Sequence, residues 1–152
     1  MSFASQSISA LILRDLDRLS AEIETYAKED NLWIVEGDII NSAGNLSLHI
    51  CGNLQHFIGA VLGKSGYERN RHFEFTGKNV PREKLLKEIQ TTKTVVSDTL
   101  LLRITESVLN YPYPLRVFNG KEMSTLFFLI HLQGHLNYHL GQINCHRRLL
   151  DK

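Results

Sequence analysis

The chain has few cysteines and prolines, and neither sign of charge is in excess. Its 152 residues include only two cysteines, Cys51 and Cys145, which cannot form a disulfide framework, so we expect reduced thiols and a cytoplasmic protein. The 17 basic and 16 acidic residues give a formal charge of +1. Because a phosphate-binding surface normally needs a basic excess, we expect no nucleic-acid partner.

Long apolar runs are also lacking. No segment approaches the roughly 18 apolar residues that a membrane span needs, and no cationic region precedes the apolar stretch near the N-terminus. We therefore expect neither a membrane partner nor a cleaved leader. The chain has only three prolines, and its 43% of hydrophobic residues is enough to form a sizeable core. We therefore expect a single domain over residues 1–152.

Apolar residues recur at spacings of three and four in four long segments. These spacings predict helices over residues 4–28, from 43–46 to 62, from 81 to 104 and from 124 to 150. Asn41, Ser42 and Asn45 suit the N-cap of the second helix, and Pro81 suits the first position of the third. Residues 64–79 are predicted to form a long polar loop of the kind that is often functional. The pattern predicts an all-α fold, an antiparallel four-helix bundle with long connections.

Four of the seven histidines lie in the last predicted helix, at spacings of 4, 4 and 7 residues. At about 100° per residue they share one narrow stripe. The stripe consists of His131, His135, His139, Gln142 and His146. A histidine pair one turn apart presents two neutral ring nitrogens that can hold one divalent ion, and His49 in the second helix is the obvious third ligand.

Several residues in or near this stripe have two possible roles. His56, His131 and His146 either join a metal site or bond to backbone and water. Gln142 and Tyr138 either orient a metal ligand through a hydrogen bond or belong to ordinary core packing. Cys51 and Cys145 are either reactive thiols or plain buried cysteines.

The polar loop directly follows the helix that carries His49 and contains Arg69, Arg71 and Glu74. These three residues either form a salt-bridged surface loop or line the entrance to the metal site. In the second case the arginines would hold an anionic group above the ion.

Four stretches carry a resemblance to a known family. They are Gly44-Asn45-Leu46-x-x-His49, Gly52-Asn53-Leu54-Gln55-His56-Phe57, Gly66-Tyr67-x-Arg69-x-Arg71 and His135-x-x-x-His139-x-Gly-Gln142. They resemble the DinB-like (YfiT-like) superfamily of metal-binding four-helix bundles, and within it an uncharacterised bacterial subgroup. The resemblance implies a ligand triad of His49, His135 and His139, a low-molecular-weight thiol as one cofactor, and a homodimer. Imidazole ligands suit zinc or nickel, with iron or manganese as alternatives.

The leading functional hypothesis is a metal-dependent enzyme with a small-molecule substrate, either a thiol-dependent transferase or a hydrolase. No serine, aspartate or cysteine is tied by motif to a catalytic role, so no general base is assigned. The alternative is a non-enzymatic metal-binding or stress-related interaction protein. An open coordination position beside a cleft favours the enzyme, whereas a sealed site with four protein ligands favours the alternative.

Overall fold

The computed structural model describes residues 2–152, whose regular elements are helices. Six are α-helices, and the second continues into a π-helical extension. In chain order they are α1 (Phe3–Thr25), α2 (Ala43–Leu54) with its extension (Gln55–Leu62), α3 (Arg71–Thr76), α4 (Arg82–Leu102), α5 (Glu106–Asn110) and α6 (Thr125–Leu150). The predicted all-α class is confirmed, although the structure has two short helices beyond the four long segments.

Local sequence sets the starts of the long helices. Ser2, Ser42 and Ser124 each accept a hydrogen bond from the backbone N–H three residues later, which satisfies one of the free donors at a helix start. Ser42 is thus the N-cap among the three candidates of the second helix. Pro81 is the N-cap of α4 and not its first helical residue.

The prediction of a polar loop over residues 64–79 is wrong in its second half, where α3 forms. The Asn70 side chain caps this helix by accepting a hydrogen bond from the Phe73 N–H at 3.0 Å. The helix packs against α2 and carries Glu74 into a buried position. A short helix with one inward-facing residue has no recognisable periodicity, so the sequence pattern does not reveal it.

The four long helices surround one core. α1 packs against α4 and α6, and α2 packs against the same two helices. The apolar residues of α1 that the periodicity selects are all buried, among them Ile12, Leu16, Leu19 and Ile23. Within residues 2–152, no helix combines the length and the apolar character needed to cross a bilayer.

A buried carboxylate joins α1 to α6. Asp15 is fully buried and accepts hydrogen bonds from Gln133 at 2.7 Å and Asn137 at 3.0 Å. Burial alone would raise the pKa of Asp15, but hydrogen bonds from Arg14, Gln133 and Asn137 outweigh it and lower that pKa. These bonds hold α6, the helix with the histidine stripe, at a defined position against α1.

Candidate metal centre

Three histidines from two helices converge on one point. The Nε2 atom of His135 lies 3.1 Å from that of His49 on α2 and 3.1 Å from that of His139, one turn further along α6. Candidate ligand atoms of the three residues all lie within 4.8 Å of one another. Two ligands bound at about 2.1 Å in a tetrahedral site are about 3.4 Å apart. The three predicted ligands are therefore close enough to bind one ion.

His49 and His139 each form a hydrogen bond through Nδ1, on the side of the ring away from the centre. This bond fixes the direction of the lone pair on Nε2. His49 Nδ1 lies 2.9 Å from Glu74 Oε1, and His139 Nδ1 lies 2.7 Å from Gln142 Oε1. Both oxygens accept, so each Nδ1 carries the hydrogen and each Nε2 keeps a free lone pair toward the centre. Gln142 thus contacts a candidate ligand, as an acceptor and not as the donor that the sequence predicts.

Glu74, which the sequence places in the predicted polar loop, is the hydrogen-bond partner of His49. Arg69 donates to both of its carboxylate oxygens, from Nε to Oε2 at 2.9 Å and from Nη2 to Oε1 at 2.8 Å. Burial alone would raise the pKa of Glu74, but hydrogen bonds from His49 and Arg69 outweigh burial and lower that pKa. Arg69 and Glu74 thus form a buried ion pair against a candidate ligand, and not the surface salt bridge considered above.

The carboxylate of Glu74 fits against α2 because residue 52 is glycine. A Cβ at Gly52 would lie 2.6 Å from the Glu74 Cδ atom and closer still to Oε2, which no real side chain tolerates. Since Gly52 is one turn after His49, its missing side chain leaves the space through which Glu74 reaches the imidazole.

Burial keeps the two histidines of α6 neutral. It lowers the pKa of His135 to about 3, with further lowering by nearby His139, His49, His131 and Arg69. Burial also lowers the pKa of His139, although the hydrogen bond to Gln142 partly opposes this. Neutral imidazole is the form that ligates a metal, so both rings are ready to bind at neutral pH.

The other candidate histidines lie outside the group of converging ligand atoms. His146 is on the same face of α6 but about 10 Å further along the axis, where its two nitrogens bond to Tyr26 Oη at 2.7 Å and the Ile34 carbonyl at 2.8 Å. The His56 ring packs on Phe57, with the ring centroids 4.7 Å apart. These two residues therefore do not share the triad's centre.

The surroundings of His131 and Tyr138 also depend on the tertiary structure and not on the helix period alone. The His131 ring stacks on Phe128, with the centroids 5.7 Å apart, and lines the cavity beside the triad. Tyr138 is 66% exposed, and its ring contacts the edge of His139 with the centroids 5.3 Å apart. Neither of the two readings of Tyr138, as an orienting donor or as core packing, is confirmed.

The two cysteines are free and lie apart. Burial raises the pKa of the Cys51 thiol to about 12, so Cys51 is a plain buried cysteine at neutral pH. Cys145 is exposed and lines a different cavity, between the end of α6 and residues 38–41.

A cavity of about 260 Å³ opens beside His49 and His135. Arg69 and Arg71 line it, so the structure places both arginines next to the triad as predicted. Phe57, Phe118 and Phe128 form an apolar part of its wall. Two of the three candidate ligands, His49 and His135, thus lie at the edge of a cleft, which gives a small molecule access to the centre.

The chain was also compared with known proteins. No family model, no curated protein and no solved structure matched it.

Proposed function

We propose that His49, His135 and His139 bind one divalent metal ion and that the protein is a metal-dependent enzyme for a small-molecule substrate. The observation that carries the proposal is the convergence of three Nε2 atoms, with two of the three histidines, His49 and His135, lining a cavity. Three protein ligands leave a coordination position free, as in catalytic zinc sites, and the cavity gives a substrate access to it. Zinc or nickel is the proposed ion, with iron or manganese as alternatives.

A divalent ion with a free position acidifies a bound water or thiol, which supplies a nucleophile near neutral pH. The proposed reaction is therefore hydrolysis or transfer to a low-molecular-weight thiol. Glu74 and Gln142 hold the imidazoles of His49 and His139 in the tautomer that ligates. Arg69 keeps Glu74 ionised, so this carboxylate is engaged and does not serve as a free base.

Membership of the DinB-like superfamily and an antiparallel four-helix bundle belong to the same proposal. They are supported by the quoted motifs, by four long helices around one core, and by ligands on the second and the last of those helices. The cytoplasmic location remains a prediction from the low cysteine content.

Elemental analysis of protein purified without a histidine tag tests the metal site, with one ion per chain as the expected result. The loaded protein is then screened for ester and amide hydrolysis and for transfer to small thiols. Activity should disappear on chelation and return when the metal is restored. A protein that takes up no ion contradicts the proposal. A stoichiometric ion with no exchangeable ligand and no activity favours the alternative, a metal-binding or interaction protein.

The exposed face of α6 supports the proposed homodimer. Phe127, Ile130 and Tyr138 on this face are 57%, 57% and 66% exposed. Gly134 lies between Ile130 and Tyr138, and Gly141 lies one turn beyond Tyr138. At both glycines an added Cβ would meet nothing within 4 Å. Apolar side chains beside glycines allow two helices to approach closely, so we expect two copies to pair along this face.

Light scattering should therefore report twice the chain mass of 17.4 kDa. Ile130→Glu places a charge in the proposed interface and should give monomers, whereas Leu102→Glu, on a more exposed apolar residue of α4, should leave the dimer intact. A monomer mass for the unmodified protein at micromolar concentration, with and without metal, would count decisively against the dimer.

A further inference from the structure

The cavity beside the triad has a positive balance of charge. Among residues 2–152, its lining includes two arginines and no acidic residue. Arg69 is neutralised by Glu74, whereas Arg71 lies over the Phe75 ring at 5.1 Å and has no ion-pair partner in the described chain. With a divalent ion at the triad, the cavity would hold two uncompensated positive centres. Such a site favours an anionic ligand.

The cavity becomes apolar with distance from the triad. From His49 to Phe57 it follows α2 and the start of its extension for two turns, about 12 Å. At that end the Phe57 and Phe118 rings both contact Phe128, with centroid distances of 5.1 and 6.0 Å. The volume of about 260 Å³ is near the lower limit for small-molecule pockets, so a ligand of modest size would fill it.

Asn53 supplies an unpaired polar group between the two ends. It is one turn after His49, lines the cavity and is only 7% exposed. Its Oδ1 atom is buried and has no hydrogen-bond partner in residues 2–152. Buried polar atoms nearly always have a partner, so an N–H on a ligand is the natural complement of this oxygen.

We infer that the cavity binds a small organic carboxylate that carries an amide N–H and an apolar group the size of a phenyl ring. This inference rests on the proposed function, because the ion supplies part of the positive charge. The carboxylate lies toward Arg71 and the triad, the amide opposite Asn53, and the apolar group among the three phenylalanines. Asn53 and Arg71 are thereby substrate-binding residues.

Isothermal titration calorimetry on the zinc-loaded protein tests the inference with three probes. Hippurate has the carboxylate, the amide and the phenyl ring, hippuramide lacks the charge, and 4-phenylbutanoate has the same length as hippurate but lacks the amide. Hippurate should bind about tenfold more tightly than either analogue. Arg71→Gln should reduce the preference over hippuramide, because only the zinc ion then attracts the carboxylate, and Asn53→Leu should abolish the preference over 4-phenylbutanoate.

Two further variants separate recognition from folding. Arg71→Lys keeps the charge and should retain the preference for hippurate over hippuramide, whereas Lys78→Gln removes an exposed cation outside the cavity and should change nothing. If Asn53→Leu does not fold, Asn53→Ala is measured in its place. Equal affinities for the three probes, or preferences that the substitutions leave unchanged, would overturn the inference.

Metal content measured in each sample distinguishes this failure from failure of the proposed function. Protein that holds one zinc ion but does not prefer hippurate contradicts the ligand class alone. Protein that holds no zinc contradicts the metal site itself, and the ligand class with it.

Discussion

Alanine in place of His49, His135 or His139 should leave the protein unable to hold one ion per chain. Each substitution removes one of three converging nitrogens, and the two that remain form an incomplete site. We expect the affinity for zinc to fall by well over about 100-fold, more than the loss of a hydrogen-bonding partner of a ligand produces. The metal-to-protein ratio after gel filtration, measured by elemental analysis, gives the result directly.

Two other histidines are controls for this experiment. His131→Ala removes a ring that lines the cavity without belonging to the converging group, and His72→Ala removes an exposed ring on α3. Both variants should retain one ion per chain. Full occupancy in all three triad variants would show that the ion binds elsewhere.

Gly52→Ala should weaken metal binding although it changes no residue that touches the ion. The new methyl group would overlap the Glu74 carboxylate and force it away from His49. Without that acceptor, the His49 ring is free to rotate and to change tautomer, which typically costs about 10–100-fold in metal affinity. Competition with a chromophoric chelator measures this affinity.

Gly134→Ala on α6 is the matched control. It adds the same methyl group next to His135, but at a position where a Cβ meets nothing within 4 Å. The added methyl group contacts no other part of the chain, so Gly134→Ala should leave the affinity for zinc unchanged. If Gly52→Ala binds zinc as tightly as Gly134→Ala does, the positioning role of Glu74 is refuted.

The helices and the ligand pair could be predicted from the sequence because both depend on local spacing. The apolar period of α1 selects Ile12, Leu16 and Leu19, and any helix with that period must bury them. His135 and His139 are one turn apart wherever α6 packs, and Gln142 is within reach of His139 for the same reason. The residue types at these spacings were sufficient for the prediction.

The positions of the other candidates depended on tertiary contacts. His146 lies on the same face of α6 as His135 and His139. At its position along the helix, however, its partners are Tyr26 and the Ile34 carbonyl, and no further candidate ligand lies there. The apolar period of a helix predicts which face packs against the rest of the protein. It does not predict which residues pack against each turn of that face. A single sequence therefore could not separate His146 from His139.

By itself, the sequence determined an all-helical chain with three histidines of suitable type and spacing. Only the tertiary structure decided that Glu74 faces inward, that Arg69 pairs with it, and that Gly52 provides the space. Glu74 and His49 are 25 residues apart and meet because α3 folds back onto α2. Contacts between segments distant in the chain leave no period in the sequence, because they depend on how whole elements pack.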